Sequence, residues 1–296
     1  MANMRYWLAD VFTHQPFTGN PLAVFPDAAG LAPALMPRIA AELNLSETVF
    51  VLPPADPAHT ARVRIFTPAT ELPFAGHPTI GTALMLARFS PTPLADGEHL
   101  IVLEEGVGPV PVTVTVEGGQ PVCAEFATAQ APSYAPAPDV DSVAAMLGLV
   151  DDVLPHLSVA SCGVPYLCVP LHSREALARA TPNTAAMKTG LAGLAHAIYA
   201  YTVDRDDPAL LHARMFAPGL GVLEDPATGS AAAALGALLA QFDLHRDVAL
   251  SWEISQGEDM GRPSRIRVSA EVRDKQVVSV RVGGQAVFMG EGLLAV

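Results

Sequence analysis

Positive charge is scarce in this chain, as are cysteine and long uninterrupted apolar runs. Seventeen Lys and Arg stand against thirty Asp and Glu in 296 residues, a formal net charge of -13 at pH 7, and no basic cluster offsets it. Such a chain repels polyanions, so nucleic acid is not an expected partner. The apolar stretch from Ala231 to Ala240 is about half the ~20 residues that a membrane span requires, and the opening MANMRYWLADVF lacks the apolar core of a signal peptide. A cytoplasmic protein with no membrane partner is the expectation. The three cysteines, Cys123, Cys162 and Cys168, are odd in number and sit in strand-like contexts, which reads as buried thiols in a reducing compartment. Neither CxxC nor HExxH occurs, so no metal site is expected, and without GxGxxG or a P-loop no nucleotide cofactor is expected either.

Half of the residues are hydrophobic and only 16% are charged, which describes a folded chain with ample core. Its plan is duplicated. Arg64-Ile65-Phe66-Thr67-Pro68 matches Arg214-Met215-Phe216-Ala217-Pro218. After a gap of two residues, His77-Pro78 aligns with Asp225-Pro226 and Gly81-Thr82-Ala83 with Gly229-Ser230-Ala231. A weaker pairing sets SETVFVLP from Ser46 against GVPYLCVP from Gly163, which makes Val164 the counterpart of Glu47. Repetition in the same order indicates two similar domains. The later part of residues 117–139, rich in Gly, Pro, Ala and Ser, reads as the crossing between them.

Alternating Val and Thr in LIVLEEGVGPVPVTVTVEGG predicts a β-hairpin, and residues 265–296 predict a closing series of strands. Helices are expected at Ala32 to Leu43, at Val143 to Leu149 and after each repeated motif. The last two, IGTALMLARF and SAAAALGALLAQF, lack a polar face, and a helix that is apolar all round is enclosed on every side. The expected class is α+β, two pseudo-symmetric lobes, each a curled, mostly antiparallel sheet around a central buried helix. The first lobe is expected over residues 1–120, completed by the strand near 281–296, and the second over 121–280.

The first turn of a helix carries unpaired backbone N–H groups and a partial positive charge, so it can hold an anion. Pro78 and Pro226 suit a helix entry, where a missing N–H costs nothing. Thr82 and Ser230 place hydroxyls at matching points, and Gly76, Gly81 and Gly229 allow a ligand near the main chain. On this reading His77 is exposed at the mouth of a buried helix and faces Asp225 from the second copy. Glu47, at the edge of the apolar strand Val49 to Leu52, loses hydration, and its expected rise in pKa makes it a proton carrier near neutral pH. Only one half offers that carboxylate. With no cysteine in either motif, a two-thiol racemase is disfavoured.

DVFTHQPFTGNPLAVF from Asp10, NLSETVFV from Asn44, FAGHPTIGTA from Phe74, DPATGSAAAALGALL from Asp225 and QGEDMGRPSRIRV from Gln256 together resemble the PhzF-like phenazine-biosynthesis isomerase family, in the family's order over nearly the whole chain. The resemblance implies a diaminopimelate epimerase-like fold with an active-site cleft between the lobes. It makes Glu47 the general acid/base, His77, Asp225 and Ser230 its polar partners, Gly76, Gly229 and Ser230 the backbone donors to a substrate carboxylate, and Asn20 a residue of the cleft. Gly261 to Ser264 is expected to support the cleft wall. It further implies a cofactor-independent isomerase of a small carboxylate-bearing metabolite, working as a homodimer. A racemase or epimerase of a small acid, or a non-catalytic metabolite-binding protein, are the alternatives.

Overall fold

The computed structural model describes residues 3–296. By contact density the chain forms two compact units, one running to Ala127 and including Gly283–Val296, the other Thr128–Val282.

The first unit contains β1 (Asn3–Val11), β2 (Asn20–Phe25), α1 (Met36–Leu43), β3 (Glu47–Leu52), β4 (Ala61–Phe66), β5 (Glu71–Leu72), α2 (Gly76–Arg88), β6 (Gly97–Glu105), β7 (Gly108–Glu117) and β8 (Gln120–Ala127). The second contains β9 (Ser133–Pro136), α3 (Val140–Leu147), β10 (Ser158–Ser161), β11 (Pro165–Pro170), α4 (Arg174–Arg179), α5 (Thr184–Gly190), β12 (Ala197–Val203), β13 (Leu210–Ala217), β14 (Val222–Asp225), α6 (Gly229–Ala240), β15 (Val248–Gln256), β16 (Ser264–Arg273) and β17, which starts at Gln276 and ends at Gly284. The final strand, β18 (Ala286–Ala295), pairs antiparallel with β1 of the first unit.

Each unit curls its sheet around one helix. α2 packs on β1, β2, β3, β6, β7, β8 and β18, and α6 on β10, β11, β15 and β16. Both helices are buried along nearly their whole length, as their lack of a polar face predicts. The close approach depends on glycine: a Cβ at Gly81 would stand 2.5 Å from Leu22 Cδ2, and one at Gly236 would stand 2.3 Å from Val268 Cγ1. The outer faces are covered too. In the first unit α1 packs Met36, Ile39 and Ala40 on Phe25, Phe50 and Phe66, and in the second Val143, Leu147, Leu177 and Met187 pack on Leu167, Ile198 and Phe216. Strands covered on both sides read as continuous apolar runs rather than alternating ones, as in β2 and β12. The helix expected at Ala32 to Leu43 begins as a single 3-10 turn before α1, and the one expected at Val143 is α3. The short α4 and α5 escaped the hydrophobic pattern, although Ser173 and Asn183 cap their N-termini through side-chain bonds to the Ala176 and Ala186 N–H groups.

Strand pairing shows how the duplication runs. β2 lies parallel to β3, β3 antiparallel to β4, β4 antiparallel to β5 and parallel to β6, and β6 antiparallel to β7. The same series joins β11 to β12, β12 to β13, β13 to β14 and β15, and β15 to β16. The matching arginines keep equivalent partners. Arg64 holds Glu71 through two bonds of 2.7 Å, Arg214 holds Glu224 through two of 2.8 Å, and their guanidinium groups lie 5.0 and 4.8 Å from the Phe66 and Phe216 ring centres.

Register also corrects two sequence pairings. Thr48 faces Phe66 and Ile198 faces Phe216, so with the two phenylalanines equivalent, Glu47 corresponds to Ala197 rather than Val164. Glu47 in turn faces Leu22 on β2, and Ala197 faces Tyr166 on β11, so Gly19-Asn20-Pro21-Leu22 corresponds to Gly163-Val164-Pro165-Tyr166. The second correction concerns the helix motifs. Leu72 pairs with Ile65 and Asp225 with Met215, and three loop residues later α2 and α6 both begin at a glycine, Gly76 and Gly229. The true alignment is therefore Leu72-Pro73-Phe74-Ala75-Gly76-His77 on Asp225-Pro226-Ala227-Thr228-Gly229-Ser230. His77 corresponds to Ser230, and Asp225 to Leu72. Matching the two X-Pro dipeptides by identity had shifted the frame, and Thr82 is not the counterpart of Ser230.

Candidate active site

Glu47 enters its position at a sharp change of direction. α1 ends at Asn44 in the left-handed conformation, φ 50°, whose N–H bonds to the Ala40 carbonyl, and β3 starts three residues later at Glu47. Parallel pairing with β2 fixes its height beside Leu22. His77, the second residue of α2, brings its Nδ1 to 3.2 Å from Glu47 Oε2. The histidine is not exposed as expected; it is 4% accessible. Burial pushes its pKa down to about 3, against a smaller upward pull from donating to the Pro21 carbonyl, so the imidazole is neutral across the working pH range. The contact with Glu47 is thus one of a neutral ring with a carboxyl group.

The helix start itself has no side-chain cap, and its N-cap residue is Ala75. Pro78, the third helical residue, has no N–H, and the Thr79 N–H is taken by the Ala75 carbonyl, so Gly76 and His77 supply the first-turn backbone donors. Thr79 Oγ1 lies 2.8 Å from the Ala75 carbonyl and 2.7 Å from Glu105 Oε1. One hydroxyl proton cannot serve both. Burial raises Glu105 to about 8, so this carboxyl carries a proton at neutral pH and can donate to Thr79 while Thr79 donates to Ala75.

The corresponding place in the second unit is held by Gln256. By the β4–β6 and β13–β15 registers, Glu105 and Gln256 are equivalent. Gln256 Nε2 donates to the Asp225 carbonyl at 2.7 Å and to Thr228 Oγ1 at 3.1 Å, and its Oε1 accepts from Tyr199 at 2.9 Å and from the Thr228 N–H at 3.3 Å. The glycines that follow are equivalent as well. A Cβ at Gly106 would meet Pro73 Cα at 2.7 Å, and one at Gly257 would meet the Pro226 carbonyl oxygen at 2.6 Å. Each motif loop is thus pressed against a Glu-Gly or Gln-Gly strand end. Ser264 adds a 2.8 Å bond to the Pro226 carbonyl, so within Gly261 to Ser264 the serine braces the loop. Pro226 lies in that loop, three residues before α6, and is not a helix-entry proline like Pro78.

Asp225, the buried last residue of β14, accepts from Thr228 Oγ1 at 2.5 Å. Ser230, second in α6, has its Oγ 2.6 Å from the Tyr166 hydroxyl. Asn20 opens β2 fully buried, paired with Val11 and next to the Pro21 that receives His77. The structure therefore joins Glu47 to His77, with Asn20 beside Pro21, in one unit, and Ser230 to Tyr166 and Asp225 to Thr228 in the other. Tyr166, Gln256 and Glu105 had no role in the sequence reading; the correct Gly-x-Pro match between β2 and β11 was the signal for the first. All three cysteines are free thiols; Cys168 is buried and Cys123 and Cys162 are half-buried. Burial pushes Cys162 up to about 11 and Cys168 up to about 12, so neither forms a thiolate near neutral pH.

A family model described as phenazine biosynthesis-like protein matches residues 9–292. An uncharacterized isomerase of Mesorhizobium japonicum is 41% identical over 99% of both chains. Trans-2,3-dihydro-3-hydroxyanthranilate isomerase of Pseudomonas fluorescens is 36% identical over 98% of this chain and 99% of its own. Among solved structures, a phenazine biosynthesis protein of the PhzF family from Bacillus anthracis superposes with a TM-score of 0.89 at 26% identity over the full length of both. A hydroxyproline epimerase from Agrobacterium vitis, at 13% identity and a TM-score of 0.66 over 99% of this chain and 93% of that one, shares the fold. With a family match over nearly its whole length and close relatives named as isomerases, the chain belongs to the PhzF family of phenazine biosynthesis-like proteins and is an enzyme of the isomerase class.

Proposed function

We propose that this family member is a cofactor-independent isomerase that moves a proton along a small carboxylate-bearing metabolite, with Glu47 as the general acid/base. The observation that carries this reading is the placement of His77 Nδ1 3.2 Å from Glu47 Oε2 at the start of a buried helix. A carboxylate so placed can take a proton from carbon, and the first-turn N–H groups of Gly76 and Gly229, with Ser230, suit the substrate's carboxylate and the charge that develops as the C–H bond breaks. Protonated Glu47 then returns the proton to a different carbon of the conjugated system. One proton leaves carbon and one is delivered to carbon, and the protonated carboxyl exchanges with solvent in between, so no oxidant, reductant or metal is needed for balance and solvent deuterium enters the product.

His77 orients rather than transfers in this scheme, because a ring whose pKa is near 3 keeps its single N–H and takes up no second proton at neutral pH. Asp225, fixed by Thr228, is assigned a substrate-orienting role. Inversion at one carbon needs a second proton carrier on the opposite face. The second unit has Ala197 where the first has Glu47, which favours isomerisation over racemisation. The same reading includes a cytoplasmic homodimer, which the mass in solution tests. Trans-2,3-dihydro-3-hydroxyanthranilate, named for the Pseudomonas fluorescens relative, is the first compound to assay, followed by a panel of unsaturated amino and hydroxy acids in heavy water. Carbon-bound deuterium in an isomerised product supports the reading; inversion of a single centre without isomerisation contradicts it.

A further inference from the structure

In the first unit the residue beside Glu47 on the neighbouring strand is Leu22, and the second residue of the buried helix is His77. In the second unit the same two places hold Tyr166 and Ser230, and the Glu47 position is Ala197. Tyr166 is buried, on a strand against which α6 packs, and its hydroxyl lies 2.6 Å from Ser230 Oγ. A hydrogen-bonding side chain stands where the other copy has an apolar leucine.

We infer that Tyr166 is a positioning residue that donates its phenolic proton to Ser230 Oγ and thereby leaves the Ser230 proton to be given to an anionic oxygen of the substrate. Two hydroxyls 2.6 Å apart share one proton between them, and the phenol, the stronger acid of such a pair, is the better donor. The serine oxygen, once it accepts, cannot rotate freely, and accepting a bond polarises its own O–H toward donation. The start of α6 becomes a donor site for a carboxylate. This inference rests on the proposed contact between Ser230 and substrate, and it narrows the ligand to one with an anionic oxygen at that point.

The test uses 2-aminobenzoate and its carboxamide as probes, with binding followed by calorimetry in the full-length protein. Wild type is expected to bind the carboxylate, and Tyr166→Phe and Ser230→Ala each to weaken it about tenfold, as for loss of a bond to a charged group. The double variant is expected to be no weaker than Ser230→Ala alone, because both changes remove one coupled interaction. Carboxamide binding is expected to change by less than about twofold in either variant, a selectivity that a general packing defect does not produce. Tyr166→Leu, which copies the residue at Leu22, is the second variant and is expected to match Tyr166→Phe. If Ser230→Ala weakens the carboxylate while Tyr166→Phe and Tyr166→Leu bind like wild type, the positioning role is wrong and the substrate contact stands. Additive effects, or equal losses for both probes, also overturn the positioning role. If wild type does not bind 2-aminobenzoate, or Ser230→Ala leaves its binding unchanged, the reading of Ser230 as a carboxylate contact fails, and the inference fails with it.

Discussion

At the start of α2 a histidine follows the glycine and meets a carboxyl group; at the start of α6 a serine follows the glycine and meets a phenol. The strands around them are paired in the same order, each preceding loop presses on a glycine at a strand end, and a neutral side chain at that strand end holds the loop or the first turn. What differs is which positions are polar. Glu47 stands opposite Ala197, Asp225 opposite Leu72, and Tyr166 opposite Leu22. The comparison teaches that the backbone device, a buried helix begun by a glycine, is duplicated, whereas the carboxyl and imidazole pair of Glu47 and His77 is replaced in the second unit by Ala197 and Ser230.

The largest expected effect comes from moving the carboxylate across the duplication. Glu47→Gln is expected to lower turnover by about 10²–10⁴, and adding Ala197→Glu to it restores nothing, because the equivalent backbone position in the second unit has Tyr166 and Ser230 rather than His77 beside it. Steady-state kinetics of the single and double variants check this, and recovery of activity by Ala197→Glu would break the asymmetry. Next in size is the brace of the second helix start. Gln256→Ala leaves the Thr228 N–H and the Asp225 carbonyl without their partner in a buried site and is expected to cost about 3 kcal/mol in urea unfolding.

The equivalent brace in the first unit is predicted to be sensitive to pH. Glu105 has a folded pKa near 8, well above its unfolded value, so the folded state holds a proton that the unfolded state releases, and stability falls as pH rises from about 4.5 to 8. Glu105→Gln substitutes the neutral amide found at Gln256 and is expected to remove that slope, worth on the order of 3 kcal/mol between pH 5 and 8. Parallel urea titrations of wild type and Glu105→Gln at the two pH values measure it, and equal slopes would show that the carboxyl is ionised in the fold. His77 produces a smaller slope of opposite sign. Its folded pKa near 3 lies below the unfolded 6.5, so its contribution is full above pH 6.5 and lost as pH falls toward 3. His77→Gln is expected to remove about 2 kcal/mol of the destabilisation between pH 7 and pH 5.

Much of this fold was legible because burial leaves a compositional trace. Ala and Gly without a polar face marked α2 and α6, the Val and Thr alternation marked β6 and β7, and a repeated Arg-x-Phe marked β4 and β13. The repeat itself was visible, but its frame was not. His-Pro and Asp-Pro look alike as dipeptides, whereas the true frame depends on β4–β5 and β13–β14 register and on where each helix begins, which are set by hydrogen bonds between distant residues. The burial of His77 was missed for a related reason. A Gly-His-Pro run is typical of exposed turns, and only the packing of β2 and β3 against α2 encloses it. Tyr166 sat unnoticed in GVPYLCV because its meaning depends on Ser230, 64 residues away. Glu47 was singled out from one strand edge and one asymmetry between the copies, and the asymmetry holds with Ala197 in place of Val164 as its counterpart.

The central claim is that one carboxyl group, Glu47, moves the proton. The most direct measurement follows deuterium at carbon by NMR in heavy water, with wild type and Glu47→Gln on a substrate the wild type isomerises. Loss of carbon-bound exchange in Glu47→Gln, with substrate still bound, is the predicted result. Exchange at the wild-type rate in that variant would contradict the account.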